Sequence, residues 1–202
     1  MLSNATVQPE TKSNGVSLKQ TAEEMSKLSV KEQKVGRRAL FDSSLISTEV
    51  SAQLPAQYVL RPLCEDDFEK GVFECLSQLS VVGEVSAARF AETFRTLLAQ
   101  GASYMNVIED TERSRIVACG TLVLEQKLLR NCGKIGHIED IVVSSTERGK
   151  RLGLHLIHQL KHLGHALGCY KVILNCKQSN VAFYEKCGLE VRDVQMVEYF
   201  TE

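Results

Sequence analysis

The chain has 202 residues, 44% of them hydrophobic, enough for one ordinary domain or one domain with a tail. Its 24 basic and 25 acidic residues leave a formal net charge of −1, whereas proteins held to nucleic acid by phosphate contacts are normally basic. No run approaches the ~20 apolar residues of a membrane span, no apolar leader stands at the N-terminus, and seven cysteines with no CxxC pair read as reduced thiols of a cytoplasmic protein, mostly small core residues.

Residues 1–39 are dominated by Ser, Thr, Asn, Gln, Lys and Glu. They carry too few apolar side chains to offset the entropy of ordering them, so a disordered polar extension is expected. Leu18, Ala22, Met25 and Leu28 have helical spacing and allow a transient helix between 17 and 34. The folded domain is expected over 40–202. Tyr58 to Arg61 reads as a strand stopped by Pro62. Phe68, Val72, Cys75, Leu76 and Leu79 then repeat as one helix, with the acidic run Glu65-Asp66-Asp67 in its first turn, where the helix dipole favours it. Phe90, Phe94, Leu97 and Leu98 mark a second helix with Ser86 as N-cap. Three strands follow, 104–109, 116–124 and 135–143, separated by turn-forming residues. A helix over 152–167, a strand over 171–175, a short helix around 180–186 and a last strand over 196–200 complete the series. Antiparallel strands followed by a strand–helix–strand unit predict an α/β fold, a mixed central sheet with helices on both faces.

The segment 142–154 has a clear physical logic. An apolar strand ends, a loop with Gly149 and Gly153 follows, and an amphipathic helix begins. Glycines let a backbone approach a ligand, and the free N–H groups of a helix start attract anions. Arg148, Lys150 and Arg151 add positive charge, so the loop suits a pyrophosphate. It resembles Arg-x-x-Gly-x-Gly/Ala, the acetyl-CoA loop of the GNAT superfamily of N-acetyltransferases, with Arg151 where the first glycine of that signature usually falls.

Further segments agree with that resemblance and narrow it. His137-Ile138-Glu139-Asp140-Ile141-Val142-Val143, Gly168 to Leu174, Asn180-Val181-Ala182-Phe183-Tyr184-Glu185-Lys186-Cys187-Gly188, Leu60-Arg61-Pro62-Leu63 and Leu76 to Gly83 are similar to glucosamine-6-phosphate N-acetyltransferases, in order, over roughly 40–200. The resemblance implies a GNAT fold whose splayed strands form the acetyl-CoA cleft. It implies acetyl transfer from acetyl-CoA to the 2-amino group of glucosamine 6-phosphate, a step toward UDP-N-acetylglucosamine, by a homodimer that needs no metal. It also implies roles for individual residues. Backbone of Ile141, Val142 and Val143 would pair with the pantetheine arm at a bulge, and the loop Arg148, Gly149, Lys150, Arg151, Leu152, Gly153 and Leu154 would bind the pyrophosphate. Asn180 would hydrogen-bond the arm or cap its helix. Tyr184, with Phe183 beside it, would protonate the leaving thiolate. Glu139 and Asp140, on opposite faces of their strand, would orient the sugar together with Ile141. Ser80, Lys127, Leu128, Leu129, Arg130 and Asn175 match further sugar-site positions, Lys127 and Arg130 as phosphate ligands.

Two positions depart from the family. Asn175 stands where Asp or Glu is usual, and Tyr199 where an Arg usually meets the sugar phosphate. They leave open a GNAT enzyme with a different amine acceptor, and a catalytically weak CoA-binding regulatory protein. His155, His158, His162 and His165 form a helical stripe opposite Leu156, Leu160, Leu163 and Leu167, so the histidines are expected to face away from the core. The charge is uneven: residues 1–39 hold seven basic and four acidic side chains, the rest 17 and 21, yet 127–151 holds six and three. An acidic domain that gathers cations in one segment steers anions to that place.

Overall fold

In a computed structural model, residues 37–200 are described; the helix expected over 17–34 lies outside them. Five strands form one sheet in chain order: β1 (Tyr58–Pro62), β2 (Ser103–Asp110), β3 (Arg115–Gln126), β4 (Lys134–Val143) and β5 (Cys169–Ile173). β1 to β4 are antiparallel neighbours, and β5 joins β4 in parallel. The parallel pair needs a crossover, supplied by α4 (Leu152–Ala166).

Side-chain alternation along the strands divides the core between the two faces of the sheet. On one face Ile108, Ala118, Leu122 and Ile138 pack against the α4 stripe Leu152, Leu156, Ile157, Leu160 and Leu163. Burying each such aliphatic side chain stabilises the fold by about 1.5–3 kcal/mol. On the other face Val107, Cys119 and Val142 meet Val72 and Cys75 of α2 (Val72–Leu76) and Phe90 and Phe94 of α3 (Ala87–Gln100). Ser86 caps α3 as expected, its hydroxyl accepting from Arg89 N at 3.2 Å. A short helix, α1 (Thr48–Ala52), precedes β1, and α5 (Val181–Lys186) follows β5.

Four expectations need correction. The helix over 68–79 is broken: a 3-10 turn, Asp67–Lys70, is separated from α2 by Gly71 at φ 75°. The acidic run before it serves more than a helix dipole. Asp67 is fully buried, and its carboxylate accepts from Cys64 N at 2.8 Å and from both terminal nitrogens of Arg61 at 2.7 and 2.8 Å. Arg61 also donates to Glu109 at 2.6 Å, and Arg37 to Asp66 at 2.6 Å, so Arg37 and the Ala39–Cys64 bridge tie residues 37–40 to the domain. The last expected strand is absent: 196–200 is not in the sheet, and Val194, Met196, Tyr199 and Phe200 are exposed. The histidine stripe is split. His162 and His165 are exposed, but His155 is buried, with Nδ1 lacking a partner among the described residues, and burial lowers its pKa. Of the cysteines, Cys64, Cys75, Cys119 and Cys187 are buried, whereas Cys132 and Cys176 are exposed.

Candidate active site

The pairing of β4 with β5 stops early. Lys134 to His137 pair with β5, and beyond His137 the strands part, so Ile138 to Val143 keep one free edge. On its other edge β4 carries a bulge: Thr121 faces Glu139 and Cys119 faces Val142, leaving Asp140 and Ile141 opposite Gly120. Asp140 takes φ 56° to make the bulge. Gly120 is required there, because a Cβ on it would lie 2.6 Å from Ile141 Cδ1 and 2.9 Å from Leu156 Cδ2.

Beyond the free edge lies a cleft of about 750 Å³. Ile141, Val142 and Val143 form its wall, and Arg148, Gly149, Arg151, Leu152, Gly153 and Leu154 its loop; Asn180, Phe183, Tyr184 and Lys186 line it from the α5 side. Gln78 and Leu79, just beyond α2, also line it. Gln78 Oε1 accepts from Ser145 N at 2.7 Å, a contact that fastens this segment to the loop. The loop backbone turns through Gly149 at φ 84° and Arg151 at φ 62°. Arg151 thus holds the left-handed conformation that glycine adopts most easily, a strain of about 1–2 kcal/mol for a residue with a Cβ. It occupies the cap position of α4 without a side-chain hydrogen bond to the helix start. The first N–H groups of a helix lack intrahelical partners and are suited to an anion. Gly153 sits close under the Phe183 ring, where an added Cβ would lie 3.3 Å from Cζ.

Tyr184 is half-buried and packs against the core, with the Phe183 ring 5.0 Å away, centroid to centroid. Burial, followed by the nearby Cys176 and Cys187 thiols, pushes its pKa up, so its hydroxyl is a proton donor at neutral pH. Asn180 occupies the N-cap position of α5 but makes no side-chain cap bond to it.

Eleven of the twelve residues expected to bind the cofactor line this one cleft. Lys150 does not: its ammonium donates to Glu147 at 2.6 Å and to Tyr58 Oη at 2.9 Å, and its side chain lines a neighbouring cavity of about 600 Å³. The expected sugar residues are less gathered. Glu139 and Asp140 are exposed in the single chain, and the bulge disrupts the simple alternation expected of them. Ser80 and Asn175 are also exposed. Lys127 is paired with Glu125, which also meets His137 Nε2 at 2.9 Å; Arg130 lies over the Tyr170 ring at 5.7 Å. Leu128 and Leu129 are exposed at the hairpin tip, where the chain makes a left-handed turn through Arg130, Asn131 and Cys132. Gln78, Leu79, Glu147, Phe183 and Lys186 also line the cleft but were not assigned to the cofactor from sequence; their only signal was membership of the resembling segments. Among the described residues no group of three His, Cys, Asp or Glu side chains could hold a metal.

The profile of the acetyltransferase (GNAT) family matches residues 69–189. The chain is 49% identical over 140 residues to glucosamine 6-phosphate N-acetyltransferase 1 of Dictyostelium discoideum, covering 69% of this chain and 88% of that one. It is 43% identical over 144 residues to glucosamine 6-phosphate N-acetyltransferase of Arabidopsis thaliana, covering 71% and 97%. This chain belongs to the GNAT acetyltransferases, among the glucosamine 6-phosphate N-acetyltransferases. The crystal structure of the Arabidopsis thaliana enzyme superposes on this GNAT domain with a TM-score of 0.70 at 43% identity, covering 71% of this chain and 99% of that one. The parted β4 and β5 strands of this GNAT chain therefore lie in a fold shared with a solved relative.

Proposed function

We propose that this chain transfers acetyl from acetyl-CoA to the 2-amino group of D-glucosamine 6-phosphate, giving N-acetylglucosamine 6-phosphate for UDP-N-acetylglucosamine synthesis in the cytoplasm. The observation that carries this reading is the free edge of β4 meeting the Arg148–Leu154 loop in one cleft, in a chain whose relatives bear the name of this activity.

The cleft fits acetyl-CoA, the acetyl donor of the GNAT family. A free strand edge offers unpaired backbone N–H and C=O groups to the amide-bearing arm, as in strand addition. The loop amides and the cations of Arg148 and Arg151, neither paired with a carboxylate among the described residues, suit the pyrophosphate. The neutral amine attacks the thioester carbonyl, a C–N bond forms and the C–S bond breaks. A backbone N–H of the bulged strand polarises the carbonyl. Tyr184 gives its proton to the departing thiolate, the attacking nitrogen sheds one of its protons through solvent and so restores the tyrosine hydroxyl, and Glu139 and Asp140 orient the sugar and its amine.

The exposed sugar residues and the exposed apolar segment 191–200 support a homodimer. β5 is an edge strand, and Tyr170 and Ile173 on it are also exposed. A second copy covers these surfaces and completes the sugar site. The test of the reaction is to incubate the full chain with both substrates and follow the product by NMR. An acetamide at carbon 2 is expected, and unchanged glucosamine 6-phosphate refutes the reading.

A further inference from the structure

Glu147 belongs to neither substrate's expected contacts, yet it is the most heavily bonded side chain of the loop. Its side chain is only 2% exposed, immediately before the anion-binding residues. Oε2 accepts from Tyr58 Oη at 2.6 Å and from Lys150 Nζ at 2.6 Å; Oε1 accepts from Arg113 at 3.0 Å and from Thr146 Oγ1 at 3.3 Å. These donors come from β1, from the β2–β3 turn and from the loop itself. A buried carboxylate met by two cations and two hydroxyls stays ionised, and Lys150 and Tyr58 hold its pKa down at about 2. Lys150 also lies over the Tyr58 ring, 5.6 Å from its centroid.

We propose that Glu147 is a positioning residue for the acetyl-CoA loop: it pins the loop to β1 and the β2–β3 turn and draws the Lys150 ammonium away from the pyrophosphate, leaving Arg148 and Arg151 as its cations. Arg148, Gly149 and Arg151 line the acetyl-CoA cleft and Lys150 lines the adjoining cavity with Arg113, while Glu147 stands between the two and lines both. Glu147 and Lys150 are three residues apart, so one can fold back on the other, and the backbone turns through the left-handed region at Gly149 and again at Arg151. A loop held at two points outside itself and braced from within loses little freedom on binding, which favours affinity through preorganisation.

The inference rests on placing acetyl-CoA in this cleft, and calorimetry of CoA binding to the full chain separates the two. Wild type that binds no CoA removes that placement and this proposal with it. With binding established, E147Q keeps a hydrogen-bonding side chain of the same size but frees the two cations. CoA affinity is expected to fall about tenfold, the loss growing with added salt because a newly freed ammonium is screened. In steady state the KM for acetyl-CoA rises in parallel, with kcat and the KM for the sugar phosphate within about twofold, since only loop order is altered. Adding K150M to E147Q is expected to return the salt dependence to the wild-type steepness. Where E147Q fails to fold, as judged by circular dichroism, Tyr58→Phe removes one loop anchor without changing charge, and a roughly threefold loss of CoA affinity at unchanged salt dependence is expected. An E147Q protein with a lowered kcat and unaltered CoA affinity, an unaltered salt dependence, or a Tyr58→Phe protein with wild-type affinity overturns the proposal.

Discussion

Replacing Gly120 by alanine puts a methyl carbon 2.6 Å from Ile141 Cδ1, 2.9 Å from Leu156 Cδ2 and 3.1 Å from Leu156 Cγ. Comfortable carbon–carbon separations are about 3.5–4.0 Å, so something must move by about 1 Å. Leu156 is fully buried among the α4 stripe and has nowhere to go, whereas Ile141 is half-buried in the cleft wall. The strain therefore falls on Ile141 and on the bulge that presents the free edge of β4. Overpacking of this kind costs about 1–3 kcal/mol, and in a domain of this size each kcal/mol lowers the melting midpoint by about 2–4 °C. Gly136 is the control. Its added Cβ meets Leu122 Cδ1 at 2.7 Å and Val172 Cγ1 at 3.2 Å, a similar but somewhat milder crowding in the paired part of β4. Urea unfolding and steady-state kinetics on both variants are the assay. Both are expected to lose stability, and only Gly120→Ala is expected to raise the KM for acetyl-CoA, by about tenfold. A KM that moves equally in the two variants, or in neither, refutes the link between bulge and cleft.

Tyr184→Phe is expected to lower kcat at least about 100-fold, the scale of a lost general acid, with CoA affinity by calorimetry little changed. Arg151→Gly relieves the left-handed strain, about 1–2 kcal/mol, but adds backbone entropy of about 0.5–1 kcal/mol. Thermal stability should hold or rise slightly while the KM for acetyl-CoA increases through loss of a cation. Burial pushes the Glu109 carboxyl up, but Lys70 and Arg61 outweigh it and hold its pKa at about 2. A depressed carboxylate contributes stability that is complete above its ordinary value near 4.5 and is lost as pH falls toward 2. Glu109→Gln should therefore flatten the acid limb of the stability–pH curve in that window, measured by urea midpoints. On the proposed homodimer, the wild type is expected to sediment at twice the chain mass in analytical ultracentrifugation, and Met196→Glu, in the exposed apolar segment, at the mass of one chain.

The fold was legible where periodicity and chemistry agreed. Ser86 with Phe90 and Phe94 marked α3, the leucine stripe marked α4, and the glycine–cation loop marked the cleft. Sequence reasoning erred where a partner far along the chain overruled the local signal. Asp67 read as a dipole residue because its pairing with Arg61, six residues back, gives no periodic signal, and the Glu109 that shares Arg61 arrives only through the β1–β2 pairing. Gly71 broke a helix whose apolar spacing ran straight through it, and His155 was drawn into the core by the width of the buried face of α4. Lys150 carried the right charge at the right spacing for a pyrophosphate, but its partners are Tyr58, 92 residues away, and Glu147. The strand expected over 196–200 has apolar character without a sheet neighbour in the single chain. The sugar residues were named through resemblance alone, and in one chain most of them remain exposed.

The central claim is that the cleft delivers acetyl to the amine of glucosamine 6-phosphate, despite Asn175 and Tyr199 where the family pattern has charged side chains. Release of CoA thiol, measured side by side with glucosamine 6-phosphate, glucosamine and a lysine peptide as acceptors, tests it most directly. Rapid release with the sugar phosphate and little with the other two is the predicted result; release no faster than background with glucosamine 6-phosphate contradicts it.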